Sequence, residues 1–392
     1  MHTWLEINKH ALYHNISQFK QIVHNRALAP VIKSNAYGHG AVCIAQLLEA
    51  DDGVAFLCCA SLSEALVLRA AGIKKPLLVL GIVDVPPAHA DDAVAFMTGD
   101  LRLLYELNEI GRVNNRIFAV HLKIDTGLSR FGIMPADAVS TIAQLKQLRH
   151  LDIQGIATHL ADAHNADQSY TVEQLVLFDK VVTDCAQHGW HFKWVHSANS
   201  AATLSHDLPM NTLFRVGLAL YGLWPSQSTF LAAKQRMPSI DLIPILTWKT
   251  SIIAIKEVAS GSFVGYKKTF KTKRTTKIGI MPVGYYDGYD FRLSNKAVVL
   301  INGQYASVIG RICMNLTMID ITDIATVDVA TSVTLLGSSE KISAYALAHL
   351  MEQDNVRLCL TALGNHLSRV VMHAEQTPCI THHQILRCLS FI

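Results

Sequence analysis

A lysine stands at the end of an apolar run, beside a turn that glycines mark. Residues 28–32 are mostly apolar and predict a buried strand, and residues 41–48 predict a helix, so Lys33 and the Gly38–Gly40 turn lie between the two. An amine at such a place can be desolvated enough to act as a Schiff-base nucleophile. Considered by itself, Lys33 could also be an ordinary lysine near a strand end with no catalytic role, because lysines are rarely buried.

Further polar side chains recur where other predicted strands begin or end. They are Tyr37 after the run at residues 30–33, His159 at the end of the run at 153–159, His196, Asn199 and Ser200 at the run at 194–197, and Arg215 at the start of the run at 214–220. Each residue alone has a structural explanation, such as a hydrogen-bonded scaffold histidine. If these runs are the strands of a parallel barrel, their carboxyl ends meet on one face, and the joint placement predicts a single cluster of catalytic and binding groups.

The elements that must position this cluster alternate between short apolar strands and segments of helical period. The predicted strands are Pro30–Lys33, Val54–Ala60, Pro76–Leu80, Ala93–Met97, Phe118–Ile124, Ile153–His159, Trp194–Ser197 and Phe214–Leu220. Eight such strands predict a closed (β/α)₈ TIM-type barrel over residues 10–240, with an open doubly wound sheet as the alternative. The absence of a GxGxxG motif after a strand counts against the open, dinucleotide-binding sheet.

The pattern changes after Pro238, where strand-like runs follow one another directly. These runs are Leu246–Ile255, Lys277–Val283, Ala297–Ile301, Ser307–Ile312, Met318–Ile321 and Ser332–Leu336. Asn302-Gly303 predicts a two-residue hairpin turn, and Ser343 is a candidate N-cap for a helix over Ser343–Glu352. We therefore expect residues 241–392 to form a second, mostly β domain, with the strand at residues 1–9 packing against it.

Composition narrows the class of protein. The chain has 392 residues, 50% of them hydrophobic and 17% charged, with a formal net charge of +3. These values favour a globular two-domain protein and do not support a nucleic-acid partner. The N-terminus lacks the pattern of a signal peptide, no apolar stretch is long enough to span a membrane, and the eight cysteines lack metal-ligand spacing. We expect a cytoplasmic enzyme without a bound metal.

Several motifs together closely resemble those of the alanine racemase family. They are Val31–Gly40, Lys123–Gly132, Ala157–His159, His196–Ser200, Arg215–Gly217, Val264–Tyr266, Gly284–Gly288 and Gly310–Met314. The resemblance implies an N-terminal barrel followed by a C-terminal β domain, pyridoxal 5′-phosphate as the cofactor, and a homodimer with shared active sites. It also implies interconversion of L- and D-alanine, with the D-alanine supplying peptidoglycan.

The resemblance also assigns residues to the two proton transfers on the amino acid aldimine. Lys33 would hold the cofactor and act as the base on one face, and Tyr266 of the partner subunit would act on the other face. His159 would neighbour that phenol, while His196 would orient Arg215 against the pyridine nitrogen. Because arginine only donates hydrogen bonds, Arg215 would keep that nitrogen unprotonated and limit side reactions such as transamination. An arginine paired to a barrel carboxylate is the competing structural reading.

The remaining assignments concern the phosphate and the substrate carboxylate. The hydroxyls of Tyr37 and Ser200, with the amides of Gly217 and Leu218, would bind the phosphate. Arg130 would address the substrate carboxylate, and Tyr285 and Met314 would line the substrate entrance. The lysine at position 123 is often carbamylated in the family, which would brace Arg130. An unmodified Lys123 near Asp125 is the alternative.

Two departures from the family pattern concern specificity. Asn315 stands where an aspartate is usual, and Ser368 aligns with a tyrosine that covers the cofactor in many members. The leading hypothesis is an alanine racemase, and the alternative is a serine or broad-specificity racemase with a roomier pocket. A barrel decarboxylase is disfavoured by Val264–Tyr266. A non-enzymatic pyridoxal phosphate carrier is disfavoured by the long C-terminal domain.

Overall fold

The computed structural model describes residues 2–24 and 26–373. The chain divides into two compact units. Among the described residues, one comprises residues 14–36 and 44–242, and the other comprises residues 2–13, 37–43 and 243–373. We call them the barrel unit and the β unit.

The described residues of the barrel unit, which leave out residue 25, form eight parallel strands. In chain order they are Ala27–Leu28, Leu57–Ser61, Leu77–Ile82, Val94–Thr98, Phe118–Lys123, Leu151–Ala157, Trp194–His196 and Leu213–Phe214. The second to seventh strands form one continuous parallel sheet, and the first pairs with the eighth. Strands of this type are buried on both faces, which explains their nearly continuous apolar sequences.

Backbone hydrogen bonds close this sheet into a barrel. The Ala55 amide donates to the Leu28 carbonyl at 2.8 Å, which joins the first strand to the second. The Thr212 amide donates to the Val195 carbonyl at 2.9 Å, which joins the seventh strand to the eighth. The predicted (β/α)₈ barrel is therefore confirmed, and the open-sheet alternative is wrong.

Helices follow the barrel strands, as the sequence pattern predicts. Along residues 1–242 they are Lys9–Ile22, Ala41–Leu48, Leu62–Ala70, Leu101–Asn114, Ala138–Leu145, Ser169–Gln187, Ser200–Ser205 and Gln227–Arg236. The predicted strand Phe214–Leu220 is wrong beyond Phe214, because the chain turns into a short 3₁₀ helix at Leu218–Tyr221. That turn places the backbone amides of residues 217–219 just after the carboxyl end of the eighth strand.

Within the described residues, the β unit contains two sheets, a two-stranded pair and short helices. Its six-stranded sheet has the order Gln304–Ser307, Val298–Ile301, Ser332–Leu336, Leu246–Ser251, Thr3–Asn8 and Ser368–Met372. A three-stranded sheet contains Ala254–Val258, Thr276–Met281 and Thr317–Asp320, and Phe263–Val264 pairs with Phe270–Lys271. Helices Ala344–Leu350 and Arg357–Thr361 complete the described part of this unit.

Local turn chemistry sets several boundaries in the β unit. The Asn302-Gly303 hairpin is confirmed, since Ile301 pairs with Gln304 and both turn residues have positive φ. The return strand begins directly after this tight turn and runs over Gln304–Ser307. The predicted strand Ser307–Ile312 is therefore wrong beyond Ser307. The Ser343 cap is confirmed, because its side chain accepts a hydrogen bond from the Ala346 amide. The predicted run Leu246–Ile255 forms two strands, which belong to different sheets.

No helix within residues 2–24 and 26–373 is long and apolar enough to cross a membrane. The same residues contain no group of three or more histidine, cysteine or acidic side chains that could hold a metal ion.

Candidate active site

Lys33 follows the first barrel strand, which ends at Leu28, and stands directly before a left-handed turn. Ser34, Asn35, Ala36 and Tyr37 all have φ between 53° and 54°. Non-glycine residues pay about 1–2 kcal/mol each for this conformation. The expected turn after Lys33 is therefore present, and its strain requires support from neighbouring groups. The Lys33 side chain itself is half-buried.

Glu64 supplies part of that support. Its two carboxylate oxygens accept hydrogen bonds from the backbone amides of Ser34 and Ala60, each at 2.7 Å. Ser61 caps the helix Leu62–Ala70, and its hydroxyl accepts from the Glu64 amide at 3.3 Å. Sequence reasoning missed Glu64. The available signal was the spacing of Ser61 and Glu64, which matches a capping box whose carboxylate here reaches the lysine turn instead of its own cap.

Arg215 is buried and holds its guanidinium group against several acceptors. Nη1 donates to the His196 carbonyl at 2.8 Å and also to His196 Nδ1. Nη2 donates to the Thr158 carbonyl at 2.7 Å and lies 3.4 Å from His159 Nδ1. Burial lowers the pKa of Arg215 to about 10, so the group stays charged at neutral pH.

Two features of Arg215 bear on its expected role. No carboxylate of the described residues lies within salt-bridge distance of it, so the competing reading of a barrel ion pair is wrong. Both Nη atoms are occupied, whereas Nε makes no hydrogen bond within residues 2–24 and 26–373. The guanidinium group therefore keeps one N–H available for an external acceptor such as a ring nitrogen.

Three histidines lie near Arg215 and are held neutral. Burial lowers the pKa of His196 and His159 well below the usual range, and the positive charge of Arg215 adds to the effect. Burial likewise lowers the pKa of His121 to about 3. Sequence reasoning missed His121. Its Nδ1 atom lies 2.8 Å from the Nε2 atom of His196. The structure thus brings His159, His196 and Arg215 together and adds His121.

Lys123 ends the fifth barrel strand with its side chain only 2% exposed. Its Nζ has no hydrogen-bond partner among the described residues and lies 3.8 Å from the centre of the Phe131 ring. Burial lowers the pKa of Lys123 to about 7, and the charges of Arg130, Arg215 and Lys33 act in the same direction. A substantial fraction of this amine is therefore neutral near physiological pH, as carbamylation by carbon dioxide requires.

The loop after Lys123 presents Arg130. Burial alone would raise the pKa of Asp125, but its carboxylate accepts hydrogen bonds from the Gly127, Ser129 and Arg130 amides, and the net pKa is lowered. Asp125 therefore folds the loop and makes no ion pair with Lys123. The exposed Arg130 guanidinium lies 5.1 Å from the Phe131 ring centre. Arg130 and Lys123 thus flank one aromatic ring.

Ser200 and the residues after Arg215 form a cradle of polar groups. The amides of Gly217 and Ala219 donate to the Ser200 hydroxyl at 2.9 and 3.3 Å. The Leu218 amide between them makes no hydrogen bond within the part of the chain that the structure describes. Asn199 starts the helix Ser200–Ser205 by accepting from the Ala202 amide. These donors suit a dianion such as a phosphate.

The other predicted site residues lie in the β unit. Tyr266 is 71% exposed, Met314 is 54% exposed and Tyr285 is 45% exposed. The Tyr285 amide donates to the Cys313 carbonyl at 3.1 Å, so the Tyr285 and Met314 segments lie side by side. Tyr37 also falls in this unit. The large side chains of Tyr266, Met314 and Tyr285 are therefore exposed on this unit.

The two departures from the family pattern also lie in the β unit. Asn315 is exposed. Ser368 is half-buried and opens the edge strand Ser368–Met372, where it pairs with Trp4. The next residue, Arg369, donates to the Gly38 carbonyl at 3.0 Å. The Ser368 segment therefore packs beside the end of the lysine turn.

The residues present fit pyridoxal phosphate. Lys33 offers an amine for covalent attachment, and the N–H at Arg215 Nε suits an unprotonated pyridine nitrogen. Ser200 and the Leu218 amide offer donors to a phosphate. Such an arrangement can hold an amino acid next to an electron sink, with the lysine as a proton carrier.

Comparison with known proteins agrees with this site. The family model for the alanine racemase N-terminal domain matches residues 7–225, and the model for the alanine racemase C-terminal domain matches residues 245–371. Alanine racemase 2 of Caldanaerobacter subterraneus subsp. tengcongensis is 36% identical over 344 residues, covering 86% of each chain. The alanine racemase of Methanococcus maripaludis is 35% identical over 376 residues, covering 94% of this chain and 98% of that protein.

Solved structures show the same likeness. The alanine racemase of Clostridium difficile 630 has a TM-score of 0.86 and 31% identity, covering 95% of this chain and 96% of that chain. The Bacillus anthracis alanine racemase with bound L-Ala-P has a TM-score of 0.82 and 31% identity, covering 95% of each chain. With both domain models matched and these relatives covering most of its length, the chain belongs to the alanine racemase family.

Proposed function

We propose that the alanine racemisation of this pyridoxal phosphate-dependent enzyme uses Lys33 and Tyr266 as its two acid–base groups. A racemase must remove the α-proton from one face of the amino acid and return it on the other. Lys33 would carry the proton on one face and Tyr266 on the opposite face. The observation that supports this proposal is that Lys33, Ser200 and Arg215 each follow a barrel strand, while His196 ends one and binds Arg215.

Bound at Lys33, pyridoxal phosphate supplies the electron sink that makes the α-proton acidic. Arg215 would donate its free N–H at Nε to the ring nitrogen and, because it cannot accept a proton, would keep that nitrogen unprotonated. The two acceptors at its Nη1, His196 Nδ1 and the His196 carbonyl, hold the guanidinium group in place. Ser200, Tyr37, Gly217 and Leu218 would bind the phosphate.

Arg130 would bind the substrate carboxylate, braced by Lys123 in its carbamylated form. Two observations support this assignment: the buried Lys123 amine has no described hydrogen-bond partner, and burial lowers its pKa to about 7. A carbamate would add a negative charge beside Arg130 and Arg215, whose positive charges now oppose protonation of that amine. Tyr285 and Met314 would line the substrate entrance.

The enzyme would act as a homodimer in which each site takes Tyr266, Tyr285 and Met314 from the partner. The exposure of these three side chains supports this arrangement. On this view residues 10–240 form the cofactor-binding domain. Residues 241–392 serve the partner's site, and the strand at residues 1–9 packs with them. We further propose a cytoplasmic location, a role in supplying D-alanine for peptidoglycan, and no nucleic-acid or membrane partner.

Serine is the second candidate substrate, and the half-buried Ser368 favours it. A tyrosine at this position would fill space that the serine leaves, and size discrimination in such a pocket is worth about 1–3 kcal/mol per methylene. We expect alanine to remain preferred, with measurable racemisation of serine. The carrier hypothesis is wrong, because the alanine racemase C-terminal domain is matched over residues 245–371.

A subunit-mixing experiment tests the shared site. Lys33→Ala and Tyr266→Phe proteins are each expected to be nearly inactive against L- and D-alanine in a chiral assay. After subunit exchange, each mixed dimer should hold one intact site, formed by Lys33 of one subunit and Tyr266 of the other. Each variant exchanged with itself is the control. Absence of recovery despite demonstrated exchange would show that both residues act within one chain.

A further inference from the structure

His121 reaches the Arg215 network across a neighbouring strand. It lies on the fifth barrel strand, directly opposite Gly155 on the sixth strand. A methyl group at Gly155 would lie 2.7 Å from the His121 ring, so the glycine leaves the space through which the ring passes. The ring reaches His196 on the seventh strand, where Nδ1 of His121 meets Nε2 of His196 at 2.8 Å. The absence of a side chain at Gly155 thus permits this contact.

The hydrogen-bond inventory fixes both imidazole tautomers. Arg215 can only donate, so Nδ1 of His196 must accept from it and the His196 proton must lie on Nε2. That N–H then donates to Nδ1 of His121, whose own proton lies on Nε2. Nε2 of His121 has no partner among the described residues, although the ring is fully buried. A buried polar atom without a partner is costly, and its retention calls for a functional reason.

We infer that His121 is a positioning residue that locks His196 in the tautomer that accepts from Arg215. Without an acceptor at His121, the N–H at Nε2 of His196 loses its partner. The His196 proton can then move to Nδ1, where it opposes the N–H of Arg215. The guanidinium group would lose its fixed orientation toward the cofactor ring nitrogen. This inference rests on the role proposed above for Arg215.

Substitutions at position 121 separate hydrogen bonding from packing. His121→Phe keeps an aromatic ring but removes the acceptor, and it also removes the unpartnered N–H, so the fold should tolerate it. His121→Asn places a carbonyl oxygen near the position of Nδ1 and should restore the acceptor. Phe56→Leu is the packing control. The Phe56 and His121 rings pack edge to face, with their centres 5.3 Å apart, and make no hydrogen bond to each other.

The direct readout is the tautomer of His196 in the holoenzyme, measured by ¹⁵N NMR of histidine-labelled protein. We expect the Nε2–H form in the wild type, in His121→Asn and in Phe56→Leu, and a mixed or Nδ1–H form in His121→Phe. This readout does not depend on the reaction catalysed, so it can fail or succeed separately from the proposed function. An unchanged Nε2–H tautomer in folded His121→Phe would overturn the inference.

The kinetic readout is a split between kcat and KM. His121→Phe should lower kcat for alanine racemisation about tenfold and leave KM within about twofold, because His121 does not contact the substrate. It should also raise the slow conversion of alanine and cofactor to pyruvate and aminated cofactor, in equal amounts. His121→Asn should lie close to the wild type. Equal losses in His121→Phe and His121→Asn, or wild-type values in both, would overturn the inference.

Discussion

The left-handed turn after Lys33 should depend on Glu64. Four non-glycine residues in this conformation cost about 4–8 kcal/mol together, at about 1–2 kcal/mol each. The Glu64 carboxylate accepts from the amides of Ser34 and Ala60 at 2.7 Å. Hydrogen bonds to a charged group are worth about 1.5–3 kcal/mol each, so the bond to Ser34 offsets part of the strain, and the bond to Ala60 fixes the carboxylate that accepts it.

In Glu64→Gln one oxygen remains an acceptor, while the new amide group faces a backbone N–H. We therefore expect the free energy of unfolding to fall by about 2–4 kcal/mol, with part of the loss confined to the turn. Urea denaturation of the holoenzyme measures the free energy of unfolding. Titration of the apoenzyme with pyridoxal phosphate measures the effect at the lysine turn. The Kd of the cofactor should rise at least about tenfold, which is about 1.4 kcal/mol.

Glu49→Gln is a matched control. One oxygen of Glu49 accepts from the amides of Lys74 and Lys75 at 2.8 and 3.0 Å, and glutamine retains such an oxygen. We expect a smaller loss of stability and an unchanged Kd for the cofactor. If Glu64→Gln also bound the cofactor with the wild-type Kd, the claim that Glu64 holds the lysine turn would be refuted.

Three other variants test separate parts of the account. Tyr266→Phe should suppress solvent-deuterium exchange from L-alanine by about 10²–10⁴-fold and affect D-alanine far less, whereas equal effects in single-turnover measurements would contradict a two-base reaction. Ser368→Tyr should lower the serine-to-alanine ratio of kcat/KM by up to about tenfold, and an unchanged ratio in folded, cofactor-loaded protein would show that Ser368 does not face the substrate. For Lys123 in protein kept free of carbon dioxide, so that the amine is unmodified, burial holds the pKa near 7, below the unfolded value of 10.5. The unfolded chain then binds the extra proton between these values, and stability should rise with pH across that range. Lys123→Met should abolish this slope in urea denaturation, and a slope that persists would contradict the buried, unmodified amine as its source.

Periodicity and local turn signals were sufficient to predict the eight-stranded barrel. Its strands are continuous apolar runs, and the helices between them carry an apolar face. The Asn302-Gly303 hairpin and the Ser343 cap were also predictable, because each depends on side chains within a few residues. The helix Leu101–Asn114 has a local cap of the same kind, because Asp100 accepts from the Arg102 amide.

Long-range contacts set the limits of prediction at the site. Nothing local to His121 indicates that its ring crosses the strand of Gly155 to reach His196, since the three residues are far apart in sequence. The link between Glu64 and Ser34 spans 30 residues. The left-handed conformation of the lysine turn likewise reflects packing and hydrogen bonding that outweigh backbone preference. The positions of Lys33, Ser200 and Arg215 after barrel strands were predictable, because each follows a short apolar run in the sequence.

The covalent attachment of the cofactor to Lys33 is the central claim, and reductive labelling tests it most directly. Holoenzyme reduced with borohydride and digested should yield one cofactor-labelled peptide, with the label on Lys33. The same treatment of Lys33→Ala, loaded with cofactor, should give no labelled lysine. A label on any other lysine of the wild type, or an unlabelled Lys33 in active enzyme, would contradict the account.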